Sequence, residues 1–190
     1  MKIKVILVGG YAPQHNPEKP TIGIGYRNLD GSFSQPYMFK EDLINFKKLT
    51  THNVIVMGRN TWEAIGSKPL PDRTNVVISR NPDFKAEGAK VFHSIEDAIT
   101  YFKGAEQIYF IGGTTLLEEL VKHHKVDEYI ITFVQEYMYY SDYSDGQLIT
   151  YRLFLDDYIK KSSKFFRGYN YIDNREHDCS IAHYIHKDSL

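Results

Sequence analysis

The chain has 190 residues, with 23 Lys and Arg against 24 Asp and Glu and a formal net charge of −1. That length suits a single domain with a real core, taken as residues 1–190, and 42% apolar with 25% charged residues excludes a disordered chain. The near-neutral balance excludes the basic stripe of a nucleic-acid binder, and the one cysteine, Cys179, excludes a disulfide framework or a Cys-based zinc site.

Residues 2–8 read as a buried first strand rather than a signal peptide, because the apolar part is short and Pro13, Pro17 and Pro20 follow it. Residues 11–36 read as a long, proline-rich loop. Within it, Gly23-Ile-Gly25-Tyr-Arg-Asn28 imitates a dinucleotide fingerprint, but lacks the third glycine and a following helix. Residues 40–50 show helical spacing, with Glu41 and Asp42 in the first turn, where the helix dipole favours acids. Residues 53–57 form a strand ended by Gly58, and residues 61–65 a short helix stopped by Gly66, with Trp62 anchoring it. Residues 75–79 and 91–93 are further strands. Ser94-Ile-Glu-Asp97 supplies a capping box for a helix reaching Phe102. Residues 107–111 form a strand, Gly112-Gly113 a turn, and residues 115–123 a helix with Thr115 and Glu118 as its capping box. A longer strand covers 126–134. Residues 137–151, rich in Tyr and Asp, read as an exposed excursion, and the 15 tyrosines in general are expected at the surface. Residues 164–172 and 178–186 are strand-like and flank a turn at 173–176, forming a hairpin.

This alternation predicts an α/β fold: a doubly wound, mostly parallel sheet with crossover helices on both faces and a C-terminal antiparallel hairpin. No apolar run reaches the roughly 18 residues of a membrane span. A cytoplasmic monomer with a small-molecule substrate, no nucleic acid and no membrane partner is expected.

In such sheets ligands bind beyond the carboxyl ends of strands. Gly112-Gly113 ahead of a helix lets an anion approach backbone N–H groups, and Gly58-Arg59-Asn60-Thr61 repeats that design with a cation. Either is equally a tight turn when taken alone. Ser79 and Arg80 end a third strand, and Arg59 with Arg80 would suit a 2′-phosphate, although two solvated surface arginines are the simpler reading until the strand ends are shown to converge. Asp42 shares a helix side with Phe46 and adjoins Leu43, whereas Glu41 aligns with Asn45 and Lys48. It is therefore either a helix cap or a carboxylate serving a ligand, with burial raising its pKa. Pro69-Leu-Pro-Asp-Arg73 is a rigid loop presenting an arginine. The eight histidines show no ligand spacing, so no metal is expected. Cys179 reads as a packed thiol.

The run from Val54 through Met57-Gly-Arg-Asn-Thr-Trp62 to Gly66, followed by Pro69-Leu-Pro-Asp-Arg73 and Asn75-Val-Val-Ile-Ser79, resembles the dihydrofolate reductase family. Glu41-Asp42-Leu43-Ile-Asn-Phe46, the segment from Ser94 to Ile99, and Ile111-Gly-Gly113 support the resemblance, which covers most of residues 1–134. It implies an NADPH-dependent reductase of dihydrofolate. Asp42 would be the pocket carboxylate that bonds the pterin, backed by Thr132, with Tyr37 standing where the family usually has Trp and admitting the proton-donating water. Leu43, Phe46, Ile65 and Leu70 would line the substrate groove, and Arg73 would pair with the substrate's α-carboxylate. Ile6, Val8 and Ile111 would contribute backbone contacts around pterin and nicotinamide. Gly58, Arg59, Asn60, Thr61, Ile78, Ser79 and Arg80 would take the adenosine and phosphate part of NADPH. Gly112, Gly113, Thr114, Thr115 and Leu116 would take the diphosphate. The loop at 11–36 is longer than usual, and Leu117 replaces a frequent Tyr. Two other readings remain at this point: a reductase of the riboflavin-biosynthesis type on the same fold, and a non-catalytic, nucleotide-binding or structural reuse of it.

Overall fold

The computed structural model describes residues 1–12, 20–138 and 147–190. In chain order the elements are β1 (Lys2–Tyr11), β2 (Thr21–Arg27), β3 (Phe33–Ser34), α1 (Lys40–Thr50), β4 (Val54–Gly58), α2 (Arg59–Ala64), β5 (Thr74–Ile78) and β6 (Lys90–Phe92). Then follow α3 (Ile95–Tyr101), β7 (Gln107–Phe110), α4 (Thr114–His123), β8 (Glu128–Tyr137), β9 (Gln147–Arg152), β10 (Tyr158–Asn170) and β11 (Arg175–His186). They fall into two compact units, one of Met1–Ile6 with Phe46–Glu128 and one of Leu7–Asn45 with Tyr129–Leu190.

The first unit holds the parallel sheet, in the order β1-β7-β4-β5-β6. Its central strands are continuous apolar runs because both faces are covered: Val54, Ile55, Val56 and Met57 are buried, as are Ile108, Tyr109 and Phe110. Helices α2 and α3 each lie in a connection between parallel strands. Trp62 is 2% exposed, as an anchor for α2 should be. The Ser94 hydroxyl accepts from the Asp97 N–H at 3.0 Å, so the predicted cap of α3 is present. The cap predicted for α4 is not. That helix starts one residue earlier, at Thr114, and its N-cap is Gly113, which has no side chain to bond the first turn. Helix α2 likewise starts at Arg59, two residues earlier than its spacing suggests, with Gly58 as N-cap.

In the second unit the strand order is β10-β11-β8-β1, and β2 pairs with β1, β3 and β9. The C-terminal hairpin is present and longer than predicted, running from Tyr158↔His186 to Asn170↔Arg175. The predicted loop at 11–36 contains strands β2 and β3. Gly10 and Tyr11 pair antiparallel with Gly23 and Ile22, and β2 also takes β9 along its length. The glycine-spaced motif at residues 23–28 is therefore mostly strand, not a phosphate loop. Of the predicted excursion at 137–151, residues 139–146 lie outside the described residues. The remainder is not exposed throughout, since Met138, Leu148 and Tyr151 are buried. Tyrosine is also a core residue here: Tyr26, Tyr109, Tyr129 and Tyr151 are each about 1% exposed. A cluster of Tyr26, Tyr37, Phe39, Val134, Met138, Leu148 and Cys179 forms the second unit's core. Burial pushes the Cys179 thiol up to about 12, which suits the packed, inert thiol expected from the sequence.

Candidate active site

Asp42 stands in the first turn of α1, which begins when the Leu43 N–H bonds the Phe39 carbonyl at 3.0 Å. The Thr132 hydroxyl, from the buried face of β8, donates to Asp42 Oδ1 at 2.5 Å. Burial raises the carboxyl's pKa above the ordinary Asp value, and the Thr132 bond opposes part of that rise. Glu41, its neighbour, is exposed, as the helix spacing predicts. Leu43 is 47% exposed, which leaves an apolar side chain uncovered one residue from the acid. In the same unit Val8 is half-buried on β1. Tyr37 is nearly fully buried, and its hydroxyl donates to Glu136 Oε1 at 3.1 Å.

The first unit holds the remaining expected site residues. Arg73 Nε donates to Thr50 Oγ1 at 2.7 Å, Nη1 donates to the Pro71 carbonyl at 2.6 Å, and the guanidinium lies 5.5 Å from the Phe46 ring centroid. Thr50 in turn donates to the Phe46 carbonyl, so the cation is oriented from α1. Burial lowers the Arg73 pKa, yet a guanidinium stays charged. Asn75, which the sequence reading passed over, exchanges two bonds with the Leu70 backbone, at 2.9 and 2.8 Å, and so shapes the loop that carries Leu70 and Arg73.

At the sheet's carboxyl ends the Gly58 N–H bonds the Gly112 carbonyl at 2.8 Å, bringing the two glycine junctions together. Gly112 has φ +121, and a Cβ on it would lie 3.3 Å from the Thr61 hydroxyl. The Gly112-Gly113 peptide is cis. Thr114 and Leu116 are partly or fully covered and Thr115 is exposed, on the first turn of α4. There, helix geometry leaves N–H groups without intrahelical acceptors. Ile6, Ile65, Ile78 and Ile111 are half-buried, Ser79 is buried and Asn60 exposed. The two arginines do not share one partner. Arg59 pairs with Glu63 at 2.6 Å beside Phe84, while Arg80 pairs with Glu119 at 3.1 Å. Both pairs are solvent-exposed and so cheap to exchange for another anion.

The family model for dihydrofolate reductase matches residues 24–150 of this chain. The chain belongs to the dihydrofolate reductase family. It is 43% identical over 111 residues to a bifunctional dihydrofolate reductase-thymidylate synthase of Paramecium tetraurelia, covering 58% of this chain and 23% of that protein. It is 41% identical over 112 residues to a dihydrofolate reductase of Staphylococcus aureus, covering 59% and 64%. Matches of this kind span less than two thirds of those relatives' length. A solved dihydrofolate reductase from Enterococcus faecalis, complexed with NADP(H) and RAB-propyl, superposes with a TM-score of 0.71 at 26% identity, over 98% of this chain and 97% of that one.

Against that family background, the sequence reading missed the surroundings of Tyr37. His177, itself buried, sets Nδ1 3.0 Å from Glu136 Oε2 and Nε2 2.8 Å from Asp173 Oδ2. These three residues form a His and carboxylate group whose ligand atoms lie within 4.8 Å of one another. Both ring nitrogens are engaged by carboxylates, so none is turned to an ion. Glu136 was findable, since it lies four residues beyond Thr132 and hence on the same strand face. Asn170 carried no local signal, because its bonds to Met38 and Pro36 cross more than a hundred residues of chain, and nothing local marked the pairing of His177 with Glu136 on another strand.

Proposed function

We propose that this chain reduces 7,8-dihydrofolate to tetrahydrofolate at the expense of NADPH. The observation that carries the reading is the Asp42 carboxyl, half-buried with a raised pKa and held by Thr132. A lone acid desolvated in this way suits a flat, nitrogen-rich ring that presents donors to it and accepts a proton elsewhere. Flavin-pathway chemistry gives no comparable reason for Asp42 and Arg73 to be retained together.

The residues present fit the cofactor. Gly112 presents backbone where a side chain would crowd Thr61, and two helices open on glycines that leave their first turns uncapped. Gly112, Gly113, Thr114, Thr115 and Leu116 would hold the diphosphate. Gly58, Arg59, Asn60, Thr61, Ile78, Ser79 and Arg80 would hold the adenosine end, the guanidinia trading exposed carboxylates for phosphate. When bound, NADPH supplies the hydride. Asp42 binds and orients the pterin and favours the form that takes a proton at N5, delivered by water beside Tyr37. Leu43, Phe46, Ile65 and Leu70 exclude water from the substrate, and Arg73 binds its α-carboxylate. Ile6, Val8 and Ile111 bear on the ring edges.

The same reading makes the chain a cytoplasmic monomer, to be checked by sedimentation. Among the described residues no helix is long and apolar enough to cross a membrane. The test of function is turnover of dihydrofolate with NADPH by the purified chain, alongside Asp42→Asn. Turnover is expected, with hydride transfer cut about 10²–10⁴-fold in the variant. NADPH binding without any turnover would overturn the reading and favour the non-catalytic alternative.

A further inference from the structure

Tyr37 lies five positions before Asp42, and the segment between them enters α1 under unusual restraint. Asn170, fully buried at the end of β10, accepts from the Met38 N–H through Oδ1 at 2.8 Å and donates from Nδ2 to the Pro36 carbonyl at 3.0 Å. The Tyr171 N–H adds a bond to the Met38 carbonyl at 3.0 Å, and Phe39 makes an isolated antiparallel bridge with Asn170. One amide thus holds residues 36–39 as a neighbouring strand would. The ring of His177 lies edge-on to both Tyr37 and Phe39, with centroids 6.0 and 5.8 Å away, while its nitrogens hold Glu136 and Asp173. Glu136 then takes the Tyr37 hydroxyl.

Strand β8 therefore meets this stretch of chain twice from one face: Thr132 at Asp42 and Glu136 at Tyr37. Four strand residues advance about 13 Å. The Thr132 bond fixes only the carboxylate's oxygen. The backbone that carries it is fixed upstream, because the first bond of α1 starts from Phe39.

We propose that Asn170 and His177 are positioning residues for Asp42: by clamping residues 36–39 they set where the first turn of α1 places its carboxyl. This rests on the reading of Asp42 given above. A misplacement of about 1 Å can cost about 10²-fold in rate, so the clamp acts on the reaction without touching substrate.

The test uses the full chain with Asn170→Ala and His177→Gln, and Lys161→Ala on exposed β10 as control. Hydride transfer is followed in single turnovers across pH, with NADPH affinity and amide exchange measured beside it. Asn170→Ala should speed Met38 amide exchange at least tenfold, slow hydride transfer about 10–100-fold and move the pH midpoint of that step. NADPH affinity should stay within about twofold, and the control should match wild type. His177→Gln should show the same pattern more weakly, and gives the answer if Asn170→Ala does not fold. If both folded variants lose only melting temperature, keeping the wild-type rate and pH midpoint, the proposal is overturned. Asp42→Asn run in parallel separates the two ideas. A wild-type hydride rate there refutes the reading of Asp42, and a slow one beside a normal Asn170→Ala refutes the positioning alone.

Discussion

Asp42 is held at a cost to stability that pH should reveal. Its pKa is higher folded than unfolded, so the folded protein binds that proton more tightly. The resulting stability is full below the ordinary carboxylate pKa and is lost as pH rises through the raised value. At neutral pH the ionised, partly desolvated acid weighs against folding, and Asn, which can still accept from Thr132, removes that weight. Asp42→Asn should therefore melt higher than wild type at neutral pH while being catalytically impaired, by 2–4 °C for each kcal/mol in a chain of about this length. The gap should close in acid, as measured by thermal melts over a pH series. A gap that is reversed, or constant with pH, would contradict this account. Helix spacing singled out Asp42, since Glu41 and Asp42 sit on different faces and only one can be wet, but left it as a cap or a ligand's carboxylate; the resemblance chose between them. Its bond to Thr132 was reached through resemblance, because 90 residues separate the two. The partners of Arg59 and Arg80 were missed, although Glu63 follows Arg59 at the i, i+4 spacing of a helix pair.

How strands and helices meet explains which of them could be read. The central parallel strands of the first unit, β4, β5 and β7, are buried on both faces, so each is a short apolar run closed by glycine or a polar turn, and the pattern is plain. Strands β2 and β9 are different. The first contains two glycines and a register irregularity between Gly23 and Gly25, and both rely on tyrosine for burial, with Tyr26 paired across to Leu148 and Tyr151 to Ile22. A residue with a polar tip and low hydropathy hides a buried strand from any count of apolar side chains. The close approach of β4 and β7 at their carboxyl ends makes a sharper prediction. Gly112 has φ +121 and the Thr61 hydroxyl lies 3.3 Å from where a Cβ would go. Gly112→Ala should lose about 1–3 kcal/mol in denaturant unfolding and weaken NADPH binding at least tenfold. Gly104→Ala, where a Cβ would meet nothing within 4 Å, should change neither. Equal behaviour of the two variants would show that the junction is not the cofactor's cradle.

Across the chain as a whole, the division into two units raises the question of how many times the protein unfolds. The polypeptide passes from one unit to the other between Ile6 and Leu7, between Asn45 and Phe46, and between Glu128 and Tyr129. Each passage falls inside an element: β1, α1 and β8 respectively. Domain boundaries ordinarily fall in exposed linkers that few contacts cross. Unfolding one unit alone would here require breaking α1 in its middle and stopping β1 partway along its ladder, with β8 cut at its first residue, a cost that favours joint melting. We therefore expect the single domain read from the sequence to behave as one cooperative block. Calorimetry should show one transition, with a calorimetric enthalpy of about 130 kcal/mol near 60 °C by the usual per-residue scaling and a van't Hoff enthalpy equal to it. Addition of NADPH should move that transition upward without splitting it, since a ligand of the folded state stabilises whatever unfolds with its site. Two resolved transitions, only one of them shifted by NADPH, would mean that the units melt independently and that the clamp on residues 36–39 and the glycine cradle belong to separate domains.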